Sequence, residues 1–215
     1  MHPPQPYPTA HSAARPLLWC GVLAGPFYLL VGYGQALARE GFDIRRHPLS
    51  VLANGDLGWI QVSNFLLTSV LVLFGAVGLR QVLRSTRGGT WGPLLLGTYG
   101  LGLFGAGVFP AAPMQGFPPG ASPSAALGGA GLLHFVFGGI GFYALIASCF
   151  VFARRAHTLG DPGWAAASVA TGTLFFVSFA AIASGNTSAT AMLAFYAVIT
   201  LAWAWHCALH VRHLR

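Results

Sequence analysis

The stretch GWIQVSNFLLTSVLVLFGAVGL, residues 58–79, decides the fold of this chain. It runs for 22 residues without a charged side chain. A helix of about 20 apolar residues crosses the roughly 30 Å hydrocarbon core of a bilayer. Lipid offers the backbone no hydrogen-bond partners, so a crossing segment has to satisfy its own peptide groups as a helix does. The stretch therefore predicts a transmembrane helix.

The composition extends this prediction to the whole chain. Only 7% of the 215 residues are charged and 55% are hydrophobic, whereas a soluble domain is about a quarter charged. We predict an all-α polytopic membrane protein, a bundle of six transmembrane helices. The fourth apolar run is longer than a crossing requires, so its first turns are predicted to be loop or a re-entrant segment. The six runs are 17–38, 58–79, 91–109, 125–152, 164–184 and 189–210.

The arginines predict the orientation, because the chain has no lysine. Positive residues are retained on the cytoplasmic side of a membrane. Eight arginines fall in the tail, the second and fourth loops and the C-terminus, and three fall in the first loop. Both termini are therefore predicted to be cytoplasmic. The formal charge of +7 predicts attraction to anionic lipid headgroups rather than to nucleic acid, because no basic cluster is interleaved with aromatic residues.

The two ends of the first helix raise separate questions. Residues 1–16 are rich in proline and predict a disordered tail, which leaves 17–215 as a single domain. Ala36-Leu37-Ala38 has the small-x-small pattern of a signal-peptidase site. The apolar run of 22 residues is longer than the hydrophobic core (h-region) of a signal peptide, which has about 7–15 residues. We therefore expect the first helix to be retained, with cleavage as the alternative.

Small residues recur at helical spacing and predict close helix packing. Gly21-x-x-x-Gly25 and Gly102-x-x-x-Ala106 are typical of helices that approach closely in a membrane. Residues 100–105 also match the glycine fingerprint of dinucleotide sites. That motif functions between a strand and a helix, and here it lies inside an apolar run. We therefore predict that these glycines serve helix packing and not nucleotide binding.

Polar groups concentrate in the first loop, which holds three of the four acidic residues. By topology this loop shares the outer side with the first turns of the fourth helix. His47, Asp56 and His134 are therefore candidates to converge there. Two histidines and an aspartate are the ligand types of a zinc site and also the groups of acid–base catalysis. The candidate ligand-binding residues are Asp43, Arg45, Arg46, Ser50, Asn54, Gln61 and Asn64.

Structural alternatives stay open for these residues. Asp56 is placed to be the N-cap of the second helix. Gln61, Asn64 and Thr68 share a helix face, so they are placed to hydrogen-bond neighbouring helices. At the other end of the chain, His206, His210 and His213 have a spacing that permits metal binding. Beside Arg212, they are predicted to be the basic boundary of the last helix instead.

Seven short motifs stand in this order along the chain: CGVLAGP (20–26), GFDIRRHPLS (41–50), GDLGW (55–59), NF (64–65), GFPPG (116–120), LHF (133–135) and CFVFARR (149–155). Together these motifs resemble an uncharacterised family of bacterial membrane proteins, domain of unknown function 998. The resemblance covers about residues 17–210 and implies a six-helix membrane fold with no assigned reaction. It also implies an aspartate where this chain has Ala112 and a histidine where it has Ala130, and these departures weaken a metal site.

The predicted function is therefore broad. We expect a multi-pass protein of the bacterial inner membrane with an outward-facing polar pocket, formed by the loop 39–57 and the second and fourth helices. The pocket is expected to bind an ion, a lipid headgroup or a partner. A hydrolase or transferase acting on a lipid or envelope precursor is the alternative, and a small-solute transporter is a further one. No cofactor is predicted. Only the enzyme alternative would include a divalent metal. The lipid bilayer is the expected partner.

Overall fold

The computed structural model describes residues 13–121 and 128–214 and contains, over those residues, six α-helices and no strand. A short 3₁₀ turn, Leu49–Ala53, lies in the first loop. The helices are α1 (Arg15–Ala38), α2 (Gly58–Val82), α3 (Trp91–Val108), α4 (Gly129–Thr158), α5 (Pro162–Ala183) and α6 (Ala189–Leu214). The predicted bundle of six membrane helices is confirmed.

The helix boundaries follow local chemistry. Pro16 and Pro162 occupy the first turns of α1 and α5, where a missing N–H costs nothing. The side chain of Asp161 caps α5 by accepting a hydrogen bond from the Trp164 N–H at 3.0 Å. Residues 125–127, where the fourth run was predicted to begin as loop or a re-entrant segment, lie outside the described residues, and α4 begins at Gly129. Most of the predicted tail lies outside the described residues, and α1 already includes Arg15.

Five of the helices in the described chain are long and apolar enough to cross a membrane. The sixth, α3, has 18 residues and six glycines. At 1.5 Å per residue it is about 27 Å long, close to the thickness of the hydrocarbon core. It packs between α2 and α4, so its glycines let both neighbours approach.

The helices form a closed ring. Each packs against the next in sequence, and α6 returns to pack against α1. Helices α2 and α6 also touch each other across the ring. We call the half of the ring that carries residues 13–14 and 214 the proximal half. The opposite half, which carries the loops 39–57, 109–121 and 184–188, is the distal half.

Small residues close the proximal half. A Cβ atom on Gly75 of α2 would lie 2.7 Å from the Cα atom of Gly21 on α1 and 2.7 Å from Nε2 of His210 on α6. The backbones of α1 and α2 therefore meet at one level, with the His210 side chain of α6 against both. His210 fills the space that the two glycines leave, and its ring lies 4.4 Å from that of His206.

The prediction that the last three histidines form a basic boundary is wrong. His206, His210 and His213 are all buried, at most 1% exposed. Two of them donate Nδ1–H to the carbonyl one turn earlier, at 2.8 Å in each case. His210 fits inside the ring because α1 and α2 offer Gly21 and Gly75 there rather than bulky side chains. The arginine beside them, Arg212, contacts Asp161 and stacks on Trp164.

Candidate functional site

The distal half encloses a cavity of about 370 Å³. All six helices contribute to its lining, together with the 3₁₀ turn and residues 111–114. No aspartate, glutamate, lysine or arginine of the described chain lines it. This volume lies within the range of roughly 300–1,000 Å³ that small-molecule sites occupy. The distal half therefore has room for a ligand, and the residues around that room are mostly apolar.

Three aromatic side chains form the floor of the cavity. The ring of Trp203 lies 5.2 Å from that of Tyr28 and 5.6 Å from that of Tyr99. All three are more than nine-tenths buried, and all three line the cavity. Within the described chain, neither tyrosine hydroxyl nor the Trp203 indole N–H makes a hydrogen bond. The floor therefore carries three hydrogen-bond donors that have no partner in the described chain, on residues that line the cavity.

Phenylalanines form the wall on the side of α5 and α6. Phe142 of α4 meets Phe175 and Phe179 of α5 edge to face, with ring centroids 5.0 Å apart in each pair. Phe195 of α6 completes this cluster at 6.0 Å from Phe142. Aromatic pairs at these distances contribute about 0.5–1.5 kcal/mol beyond their burial. These wide side chains keep the distal ends of the helices apart.

The loops form the ceiling. Residues 48–51 and 111–114 line the cavity from above, and Asn54 joins the two loops by donating Nδ2–H to the carbonyl of Ala111 at 2.9 Å. Arg39 donates to the carbonyls of Leu52 at 3.0 Å and Asn54 at 2.7 Å. Its guanidinium also lies over the buried ring of Phe117. Arg39 therefore holds the backbone of the first loop in place and does not line the cavity.

His134 is the histidine that reaches the cavity. Its Nδ1 lies 2.9 Å from the carbonyl of Ala106 and 2.8 Å from that of Phe109, where α3 ends. Because carbonyls accept hydrogen bonds, Nδ1 carries a proton and Nε2 of the neutral ring is an acceptor. Nε2 makes no hydrogen bond within the described chain. His134 thus caps the end of α3 and leaves one ring nitrogen for a ligand.

His47 is built into the loop instead. It is 2% exposed. Its Nδ1 accepts the N–H of Asp43 at 3.0 Å, so the proton is on Nε2, which faces the carbonyl of Gln115 at 3.4 Å. Burial, with the nearby charge of Arg46, lowers the pKa of His47 despite the opposing effect of the Gln115 carbonyl. The backbone carbonyl of His47 accepts the Tyr196 hydroxyl at 2.7 Å. This histidine ties together two loops and α6.

Arg45 and Arg46 of the first loop are exposed, Asp43 is partly exposed, and all three pair locally. Arg45 lies 3.2 Å from Asp43, and its hydrogen bonds lower the pKa of that carboxyl. Arg46 reaches the side chain of Gln115 at 3.4 Å. The interpretation of Asp56 as the N-cap of α2 is wrong, because that position is Leu57 and no side chain caps the helix. Asp56 is exposed.

Gln61, Asn64 and Thr68 join α1 to α2. The Gln35 amide donates to Gln61 Oε1 at 2.9 Å, and Asn64 donates Nδ2–H to the backbone carbonyl of Tyr28 at 3.1 Å. Thr68 donates to Asn64 at 3.3 Å. Gln61, Asn64 and Thr68 are fully buried between the helices and do not line the cavity. The prediction that they hydrogen-bond a neighbouring helix is confirmed for Gln61 and Asn64, whereas the Thr68 hydroxyl bonds to Asn64 on its own helix.

Two of the ten candidate residues, Ser50 and His134, line the cavity. The other eight lie in the loop above it or between α1 and α2. In the described ranges, no group of three histidine, cysteine, aspartate or glutamate side chains is arranged to hold a metal. The floor residues Tyr28, Tyr99 and Trp203 were missed, because in sequence they stand in apolar runs like any core aromatic residue.

One comparison with known proteins gives a match. A family model described as "Protein of unknown function (DUF998)" matches residues 22–212. No curated protein and no solved structure matches the chain.

Proposed function

The chain belongs to the family described as protein of unknown function (DUF998), and on that premise we propose that it binds a small, uncharged, acceptor-bearing molecule in its distal cavity. The observation that carries this proposal is the floor. Tyr28, Tyr99 and Trp203 line the bottom of an apolar space there, and their two hydroxyls and indole N–H make no hydrogen bond within the described chain.

The energetics favour an occupant with hydrogen-bond acceptors. A hydrogen bond contributes about 0.5–1.5 kcal/mol. A ligand that offers oxygen acceptors to Tyr28, Tyr99 and Trp203 gains a contribution of this size from each bond it makes. An ion is disfavoured because no charged side chain of the described chain lines the cavity, and an isolated charge in apolar surroundings is expensive. The geometry therefore supports a neutral ligand rather than an ion or a charged lipid headgroup.

The arginine distribution supports an orientation for this site. Seven of the described arginines belong to the proximal half and three to the loop 39–57. We infer that the proximal half faces the cytoplasm of a bacterial inner membrane and that the cavity lies in the outer leaflet. Reporter fusions at each terminus test this orientation, and a signal from outside the cell at either terminus would overturn it.

Extraction of the purified full-length protein tests the binding proposal. Small molecules that co-purify in mild detergent are identified by mass spectrometry and compared between the wild type and Ala106→Phe. Ala106 lines the cavity, so the new ring fills it, and we expect the co-purifying molecule to fall on the order of tenfold or more. Gly97→Phe is the matched control, because Gly97 lies on the same helix, faces open space and does not line the cavity.

A second variant removes hydrogen-bond donors without filling space. Tyr28→Phe combined with Tyr99→Phe keeps both rings and deletes both hydroxyls. Since a hydrogen bond contributes about 0.5–1.5 kcal/mol, binding is expected to weaken on the order of tenfold. An equal amount of the same molecule in the wild type, the filled variant and the double variant contradicts the proposal.

A further inference from the structure

The cavity opens sideways along α4. The face of α4 that lines it is formed by Phe135, Gly138, Gly139 and Phe142, whose spacing of three and four residues places them on one side of the helix. A face packed against a neighbouring helix would be buried. Instead Phe135 is 50% exposed and the other three are partly exposed. A cavity wall that is also exposed marks an opening.

The opening lies between α4 and α5, because the other side of α4 is filled. Toward α3, a Cβ on Gly141 would lie 3.2 Å from the Cα atom of Gly102, and Phe137 stacks on Phe109 with ring centroids 5.6 Å apart. Toward α5, the ring contacts begin at Phe142. Phe142 is seven residues deeper than Phe135, which corresponds to about 10 Å along the helix. Over that length Gly138 and Gly139 have no neighbouring atom within 4 Å of an added Cβ.

The surroundings of the opening are apolar. Leu132, Val136 and Ile140 of α4 flank it and are about half exposed, as is Val177 on α5. These side chains lie on helices long and apolar enough to span a bilayer. Lipid chains rather than water therefore face the opening, and a ligand that enters here comes from the bilayer.

The chemistry of the two ends of the site defines one class of ligand. The floor offers hydrogen-bond donors between aromatic rings, which suits a flat head that bears carbonyl oxygens. The opening is narrow and apolar, which suits one hydrocarbon chain. The cavity volume is at the small end of the usual range, so the head is compact. Resting on the proposed function, we propose that the ligand is a prenylated quinone, with its ring on the floor and its tail leaving between α4 and α5.

The test uses the full-length protein in vesicles and two probes. One is a benzoquinone that carries a short prenyl tail, and the other is the same ring without a tail. Binding is followed by quenching of tryptophan fluorescence, and Trp203→Phe establishes how much of the quenching arises at the floor. Gly138→Phe places a ring in the opening, and Gly97→Phe places one on the surface of α3, where it meets open space.

We expect Gly138→Phe to weaken binding of the tailed quinone at least tenfold and binding of the tailless ring by a clearly smaller factor, and Gly97→Phe to leave both probes unchanged. If Gly138→Phe and wild type bind the tailed quinone equally well, the lateral opening is wrong and the proposed binding function stands. If neither probe quenches the wild type, the quinone assignment is wrong. The co-purifying molecule then decides the proposed function independently.

Discussion

The same six helices build two different interiors. In the proximal half, glycines at the helix contacts bring α1, α2 and α6 together around His210. In the distal half, the cluster of phenylalanines around Phe142 and the aromatic floor hold the helices apart and leave a cavity of about 370 Å³. The volume of the residues at the contacts decides which half closes. Polar residues occur in both halves and do not distinguish them.

The polar groups of the two halves also differ in what they face. In the proximal half, His210 and His213 each donate one ring N–H to their own helix, and neither lines the distal cavity. In the distal half, Tyr28 and Tyr99 line the cavity, and their hydroxyls make no hydrogen bond within the described chain. A polar side chain that lines room for a ligand is therefore a better guide to a site than a buried polar group alone.

The largest effect is expected where the backbones meet. Gly75→Leu pushes a side chain into Gly21 of the neighbouring helix, and the backbone there cannot yield as a flexible side chain can. Overpacking of this kind costs typically 1–3 kcal/mol and occasionally more, and we expect the upper end or loss of folded protein. Thermal unfolding in detergent measures it. Gly97→Leu, which meets open space, is the control, and equal unfolding temperatures for the two variants would refute close packing as the reason for closure.

A smaller effect is expected in the ceiling of the distal half. Arg39→Ala removes the donor to the carbonyls of Leu52 and Asn54, and carbonyls left without a partner cost about 1–3 kcal/mol. Because the ceiling lies over a cavity, the loss is expected to loosen the loop without unfolding the ring. Faster proteolysis of the loop 39–57 with an almost unchanged unfolding temperature is the expected result.

Arg46→Ala is the matched control for that prediction. Arg46 is exposed and makes one long hydrogen bond, to Gln115. Exposed residues of this kind change stability by about 0.5 kcal/mol or less. If Arg46→Ala accelerates cleavage of the loop as much as Arg39→Ala, the role assigned to the Arg39 contacts is wrong.

The sequence predicted the helices well because lipid imposes a simple rule on length and composition. All six predicted runs correspond to a helix, and the small residues at Gly21 and Gly102 lie at close contacts. The placement of His134 on the same side of the bundle as the first loop was also predicted correctly. Each of these inferences depends on one segment and its distance from a helix end, which a single sequence displays.

The site was harder to predict because charge drew attention to the loop 39–57. Arg39, Asp43 and Asn54 are polar in sequence, yet each bonds backbone or a neighbour within the loops. The floor depends on three helices that meet at one depth and on the absence of a partner for each hydroxyl. Neither property is visible in an apolar run that contains a tyrosine. The burial of the last three histidines was also predicted wrongly, because it depends on neighbouring helices. For His210 these neighbours are Gly21 on α1 and Gly75 on α2.

The smallest expected effect is a response of the ceiling to pH, through His47. Burial lowers the pKa of His47 below its usual value of 6.5, so the closed loop binds a proton less readily than an open loop does. The stability that neutral His47 contributes is complete above about pH 6.5 and declines as the pH falls through the lowered pKa. The groups facing the ring are the carbonyl of Gln115 and the charges of Asp43 and Arg46.

Hydrogen exchange of the amides in 43–54, corrected for the intrinsic rate, should therefore speed up between about pH 7 and about pH 5. The exchange of α1 near Gly21 should not respond, because the proximal half is closed by packing. His47→Gln, which cannot titrate, should abolish the response, and His157→Gln should retain it. A response that survives in His47→Gln would assign the pH sensitivity to another group and leave His47 as packing alone.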